Sequence, residues 1–102
     1  MQDGLLSDER FTEAYVSYRQ RAGFGPVKIR GELRERGVDE SLSQRFLDVD
    51  AECWLELAEL ARRKKFGSGL PSTSGERQRQ ERFLKYRGFN HHQITHSIRN
   101  VK

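Results

Sequence analysis

The chain is poor in nearly everything an extracellular, membrane or catalytic protein tends to carry. One cysteine, Cys53, leaves no disulfide framework and fits a reducing, cytoplasmic compartment. It stands between Glu52 and Trp54 inside a helical pattern, with no local Cys or His partner, and so reads as a structural thiol. Met1-Gln2-Asp3-Gly4 lacks a cationic and apolar leader, and no apolar run nears membrane-spanning length, so a soluble, unsecreted protein is expected. No stretch alternates with period two over a useful length, which argues against a sheet. Only 34% of the residues are hydrophobic against 33% charged, so the core must be thin. A length of 102 residues suits one domain, or two very small units sharing an interface.

What the chain does have is a stretch written twice. Leu33-Arg34-Glu35-Arg36-Gly37-Val38-Asp39 returns as Leu84-Lys85-Tyr86-Arg87-Gly88-Phe89-Asn90. In each, a basic helical segment runs into a Gly, then an apolar residue, then an Asp or Asn. Gly enters the left-handed conformation past a helix end without a Cβ penalty. Asp and Asn accept hydrogen bonds from the free amides of the next helix. Asn90 and Gln93 have capping-box spacing, and Phe89 and Ile94 that of a hydrophobic staple. Each copy is a helix–turn–helix corner, and a repeat near fifty residues points to an array of small helical units.

The first helix is expected to open with Ser7 as N-cap, Asp8 and Glu9 in its first turn, and an apolar stripe of Phe11, Ala14, Tyr15, Tyr18 and Ala22. Phe11 and Tyr15 are assigned to the core, with Arg19 and Arg21 facing outward. After Gly23-Phe24-Gly25, Pro26 presets a second helix with Ile29 and Leu33 inward. A third helix from Asp39 to about Val49 presents Leu42, Phe46 and Val49. Asp50 caps a longer helix through Trp54, Leu57, Ala58 and Ala61 that ends in Arg62-Arg63-Lys64-Lys65, cations suited to the negative end of a helix dipole. Gly67 to Gly75 reads as a loop, and Glu76 to Arg87 as a basic helix anchored by Phe83 and Leu84. A last helix after Asn90 buries Ile94, Ile98 and Val101. The fold class is all-α: two tandem three-helix units, residues 1–49 and 50–102.

Catalytic constellations are hard to assemble. His92 and His96 lie one turn apart, but no carboxylate follows within 89–102 and Cys53 belongs to another helix, so surface or capping histidines are the reading and no metal is assigned. Asp8-Glu9 and Asp39-Glu40 fall at expected helix starts, where the dipole already accounts for them. Gly25 and Gly37 match neither nucleotide fingerprint, and no hydroxyl stands in a nucleophile elbow. No enzyme and no cofactor are expected.

The cations are the remaining signal. The net charge of +4 hides an asymmetry: residues 1–50 hold eight Lys/Arg against ten Asp/Glu, whereas 51–102 hold eleven against five. One face of the second half therefore suits an anionic partner. The candidate contact residues form three groups. They are Arg19, Arg21, Lys28, Arg30 and Arg34; Arg62, Arg63, Lys64 and Lys65; and Arg77, Arg79, Arg82, Lys85 and Arg87. If the last two groups meet on one side, a positive ridge results. Neither corner's final helix carries an obvious base-reading set, and Asp39-Glu40 would repel phosphate. A protein partner, or a protein–DNA filament, is preferred to sequence-specific readout.

Four blocks, in order, resemble the RecX regulatory family: Asp8-Glu9-Arg10-Phe11; Gly25-Pro26-x-x-Ile29-x-x-x-Leu33-x-x-x-Gly37; Lys64-Lys65-Phe66; and Phe83-Leu84-x-x-Arg87-Gly88-Phe89. The resemblance implies tandem three-helix repeats that bind the RecA nucleoprotein filament, lie in its groove and inhibit ATP hydrolysis and strand exchange. Single- or double-stranded DNA is an implied further partner, a membrane is not, and a monomer is expected. Family members carry another three-helix repeat before the Asp-Glu-Arg-Phe block, so this chain resembles the second and third repeats. Gln80 departs from the pattern, standing where Ile29 stands in the other copy. The alternative is a stand-alone helical DNA-binding protein; a helical adaptor whose charge serves only solubility is the third reading.

Overall fold

The computed structural model describes the backbone of residues 2–99 and the side chains of 8–98. Six helices follow in order: α1 Gln2–Arg21, α2 Pro26–Glu35, α3 Glu40–Phe46, α4 Cys53–Phe66, α5 Ser74–Arg87 and α6 His91–Arg99. No strand occurs among the described residues. The first three helices pack on one another, as do the last three, giving an elongated molecule of 53 × 21 × 19 Å.

The two corners form as their residue types require. Gly37 and Gly88 both adopt positive φ, +83° and +102°. Asp39 accepts the Ser41 amide at the start of α3. At α6 the capping box is complete: Asn90 Oδ1 accepts from the Gln93 amide (2.8 Å), and Gln93 Oε1 accepts from the Asn90 amide (2.9 Å). Phe89 and Ile94 are both buried. The core is a thin line of the expected Ile29, Leu33, Trp54, Ala58, Leu84 and Ile98, to which Val16, Val38 and Leu47 are added. The Trp54 indole donates to the Asp48 carbonyl (2.8 Å), which ties the link between the repeats to the second core.

Several boundaries and faces differ from the expectation. Ser7 does not cap α1, because the helix begins at Gln2; Leu5 and Leu6 are good helix formers, no proline precedes Ser7, and Gly4 costs only about 1 kcal/mol. Asp8 and Glu9 consequently sit beyond the first turn, and Glu9 pairs with Arg45 of α3 instead (2.7 Å). The buried face of α1 is Thr12 and Val16. Phe11 is 40% exposed and stacks on the half-buried Tyr15 at the rim, and Ala14, Tyr18 and Ala22 are exposed. A seven-residue α3 covers only a narrow strip of α1, so an aromatic stripe wider than that strip stays in water.

α3 ends at Phe46, short of Val49, and its deepest neighbours are Ser43 and Leu47; Leu42, Phe46 and Val49 are partly buried. Asp50 does not cap α4, which starts after Glu52. Thr73 caps α5, accepting the Glu76 amide, so that helix opens two residues before Glu76. Cys53 is exposed at the first position of α4 and belongs to no core. Val101 lies outside the described residues.

Candidate protein and nucleic-acid interface

The repeats are joined by two helix ends that satisfy each other. The C-terminal carbonyls of a helix and the N-terminal amides of another have no partner within their own helices. Here the Gly25 amide donates to the Arg87 carbonyl (2.7 Å) and the Val27 amide donates to the Gly88 carbonyl (2.9 Å). Pro26, which has no N–H, stands between the two donors. The negative end of α5 thus abuts the positive end of α2. The approach is close enough to require glycine: a Cβ on Gly25 would come within 2.5 Å of the Gly88 carbonyl group, and one on Gly88 would run into Lys28. Arg87 Nη1 adds a hydrogen bond to the Ala22 carbonyl (3.2 Å).

Aromatic rings continue the seam. The Arg19 guanidinium lies 3.9 Å from the centroid of Phe24, and Arg87, from the other repeat, lies 4.9 Å from the same ring. Arg87 also covers Phe83 (5.2 Å), which Lys65 approaches at 5.6 Å. Each such contact contributes about 0.5–1 kcal/mol where water has access.

Between the repeats lies a groove of about 280 Å³. Its floor is Phe24, Leu57, Leu60, Ala61 and Phe83, and its cations are Arg21, Lys64, Lys65 and Arg87. No carboxylate among the described residues lines it. Arg82 and Lys85 lie away from it, beside His91 and Ile94 in a shallower hollow that also holds Glu81.

The three cation groups are thus split and partly recombined. Arg21, from the first group, meets Lys64 and Lys65 from the second and Arg87 from the third. Arg63, Arg77 and Arg79 are held along their own helices by Glu59 (2.8 Å), Glu81 (3.4 Å) and Glu76 (3.6 Å), and Arg34 reaches Glu40 (3.6 Å). Lys28 leans over Tyr86, a ring 73% exposed. Arg30, Arg82 and Lys85 have no ion pair among the described residues.

Two members of the set are not surface cations. Arg19 does not face outward: its guanidinium grips Glu32 through Nη2 (2.7 Å) and Nε (3.0 Å), with Tyr15 donating to the same carboxylate (2.7 Å). Burial pushes the Glu32 carboxyl up, but the hydrogen bonds from Arg19 and Tyr15 outweigh it and hold the group below its ordinary value. Tyr15 is raised, first by burial and then by its bond to Glu32. Arg62 is 2% exposed, donating to Ser97 Oγ (3.2 Å) and the Gly69 carbonyl (3.0 Å), and burial lowers its affinity for a proton. It fastens the α4–α5 loop and α6 to α4. A run of four cations gave no sign that its first member turns inward.

The groove floor escaped sequence reasoning. Leu60, 56% exposed, was the available signal: it is apolar yet lies off the Trp54–Ala58–Ala61 stripe. His92 and His96 have ring centroids 6.5 Å apart, and no group of three potential metal ligands occurs among the described residues. No helix among them is long and apolar enough to cross a membrane.

Comparison with known proteins agrees with this architecture. Residues 7–47 match the family model for the RecX second three-helix domain, and 52–97 match that for the third. The chain is 43% identical to the regulatory protein RecX of Pseudomonas syringae pv. tomato over 87% of its length and 57% of the relative's. It is 42% identical to the RecX of Pseudomonas fluorescens over 92% of its length and 61% of the relative's. With the RecX of Legionella pneumophila it shares 40% identity over 97% of its length and 66% of the relative's. The chain therefore spans roughly three-fifths of these relatives, all of them named regulatory proteins. Matched along both of its repeats, it belongs to the RecX family.

Proposed function

We propose that this chain is a non-catalytic regulatory binding protein that docks on the RecA nucleoprotein filament and lowers its ATP hydrolysis and strand exchange, thereby regulating recombination and DNA repair. The observation that carries this reading is the tandem pair of three-helix domains, each matched to its own RecX domain. The hydrogen-bonded junction between the ends of α5 and α2 supports it, because a filament is a repeating surface and a binder that spans it needs a defined spacing between its own units. The cations of α4 and α5 support it as well, since a filament on DNA offers both carboxylates and phosphates. Adding the chain to RecA on single-stranded DNA lowers the ATPase rate in this reading. An unchanged rate, both with the chain and with a version preceded by a relative's N-terminal repeat, would remove it.

A second reading, direct DNA binding without RecA, is favoured by the unpaired Arg82 and Lys85 and by the eleven-to-five excess of cations in residues 51–102. It expects a steep salt dependence, each phosphate engaged adding about 0.9 to the slope on duplex DNA. Affinity confined to the millimolar range at physiological salt would rule this reading out.

A further inference from the structure

The junction groove combines features that a nucleic-acid surface does not need together. It has four cations with no acid among its described lining residues, and an apolar floor in which Leu60 remains more than half exposed. The two aromatic rings of the lining already hold cations: Phe24 has Arg19 (3.9 Å) and Arg87 (4.9 Å) near its centroid, and Phe83 has Arg87 and Lys65, with Phe66 perpendicular to it. Base stacking on aromatic faces is how single strands are usually held. The rest of the floor is aliphatic, Leu57, Leu60 and Ala61, and a volume of about 280 Å³ suits one bulky side chain or two. Arg21, Lys64 and Lys65 are exposed and without an ion pair among the described residues, so a carboxylate reaching them breaks no salt bridge; Arg21 Nη1 meets Ser17 Oγ (3.0 Å) and Lys65 the face of Phe83.

From this geometry we infer that the groove is a docking site for an acidic protein segment carrying one bulky apolar anchor. The anchor fills the floor against Leu57 and Leu60, while flanking carboxylates meet Arg21, Lys64, Lys65 and Arg87. The anchor supplies most of the affinity and the charges supply rate and register. The site exists only where the repeats are docked, because residues 20–24, with Arg21 and Phe24, come from one repeat and Leu57 to Arg87 from the other. The inference deepens the regulatory reading, resting on it for which protein supplies the segment.

The test is a titration of the intact chain against a short fluorescein-labelled peptide of Asp and Glu flanking a central Phe. The same peptide with Ala for Phe and a labelled oligothymidine are run beside it. Saturable binding of the Phe peptide is expected, weakened about tenfold or more by the Ala exchange, as burial of one Phe side chain implies. Leu60→Glu, at an exposed position, should weaken the Phe peptide by about tenfold. The double variant Lys64→Glu, Lys65→Glu should do the same without touching the core. Equal affinity for the two peptides, or no peptide binding at all, overturns the inference. So does an oligothymidine affinity that falls with Leu60→Glu as far as the peptide's does. A dimer in sedimentation that Leu60→Glu dissolves gives the groove to a second copy, which also overturns it. RecA ATPase measured in parallel separates the two claims. Inhibition without peptide binding preserves the regulatory reading and sinks this one; peptide binding without inhibition does the reverse.

Discussion

Ile29 and Gln80 hold the same place in the two repeats, fifty-one positions apart, and both are buried. One offers hydrocarbon, the other an amide whose Oε1 has no hydrogen-bond partner while its Nε2 bonds Glu76 (3.1 Å). The contrast extends to the rest of each core. Buried polar side chains in the first repeat are Thr12 and Ser43, whereas the second buries Arg62, Gln80, Gln93 and Ser97. The first repeat instead keeps its polar cluster of Tyr15, Arg19 and Glu32 at the rim, and its surplus acids balance its cations. The second repeat holds the excess of cations and a core laced with hydrogen bonds. Its best connections are outward, from Gly88 and Arg87 to the first repeat and from Gln93 Nε2 to the Val49 carbonyl (2.7 Å). One plan has been divided into a better-neutralised unit and a charged unit braced against it.

The sharpest way to break that comparison is through the paired glycines. Gly37 and Gly88 share a left-handed corner, but a Cβ on Gly37 meets nothing whereas one on Gly88 strikes Lys28. Gly88→Ala should lower the urea unfolding free energy by about 3–4 kcal/mol, and Gly37→Ala by only about 1 kcal/mol. Equal losses would mean that the junction is not what demands glycine at Gly88. Next in size, Ile29→Gln should cost about 3 kcal/mol by the same measurement, from lost apolar burial and an unsatisfied amide.

A smaller effect concerns pH. Glu32 holds its proton less tightly in the folded chain than in the unfolded one. Its contribution is therefore complete above the ordinary Glu value, about 4.3, and disappears as pH falls through the lower folded value. Glu32→Gln should cost about 1–2 kcal/mol at neutral pH, with the gap to wild type closing on acidification below that value. A gap that stays constant with pH would show that the Arg19–Glu32 pair is not its source. Smallest, Gln80→Leu should stabilise by about 1 kcal/mol, since it removes a buried unpaired acceptor from a site where the other repeat carries Ile. A loss instead would mean that the Gln80–Glu76 bond matters more than the orphaned oxygen.

Much of this architecture was legible in the chain. Gly37-Val38-Asp39 and Gly88-Phe89-Asn90 announce corners because a left-handed residue followed by an N-cap has few other uses, and Asn90 with Gln93 states its capping box outright. Less could be read of which face each helix buries. Phe11 looked like core because apolar residues at helical spacing usually are, but the width of the buried strip is set by the partner helix, and α3 has seven residues. Arg19 and Arg62 looked like surface because they are charged, yet each is turned inward by groups far along the chain, Glu32 and Ser97. The groove escaped notice for the same reason, since it is made where two units touch and belongs to neither.

The account turns on the second repeat and the junction holding the anion-seeking surface, and RecA ATPase on single-stranded DNA tests this most directly. Inhibition by the wild-type chain should weaken by about tenfold or more in Lys64→Glu, Lys65→Glu. In Arg30→Glu, Arg34→Glu, on the acid-balanced repeat, it should stay within about twofold. Equal weakening by both variants, or loss only in the second, would contradict the account.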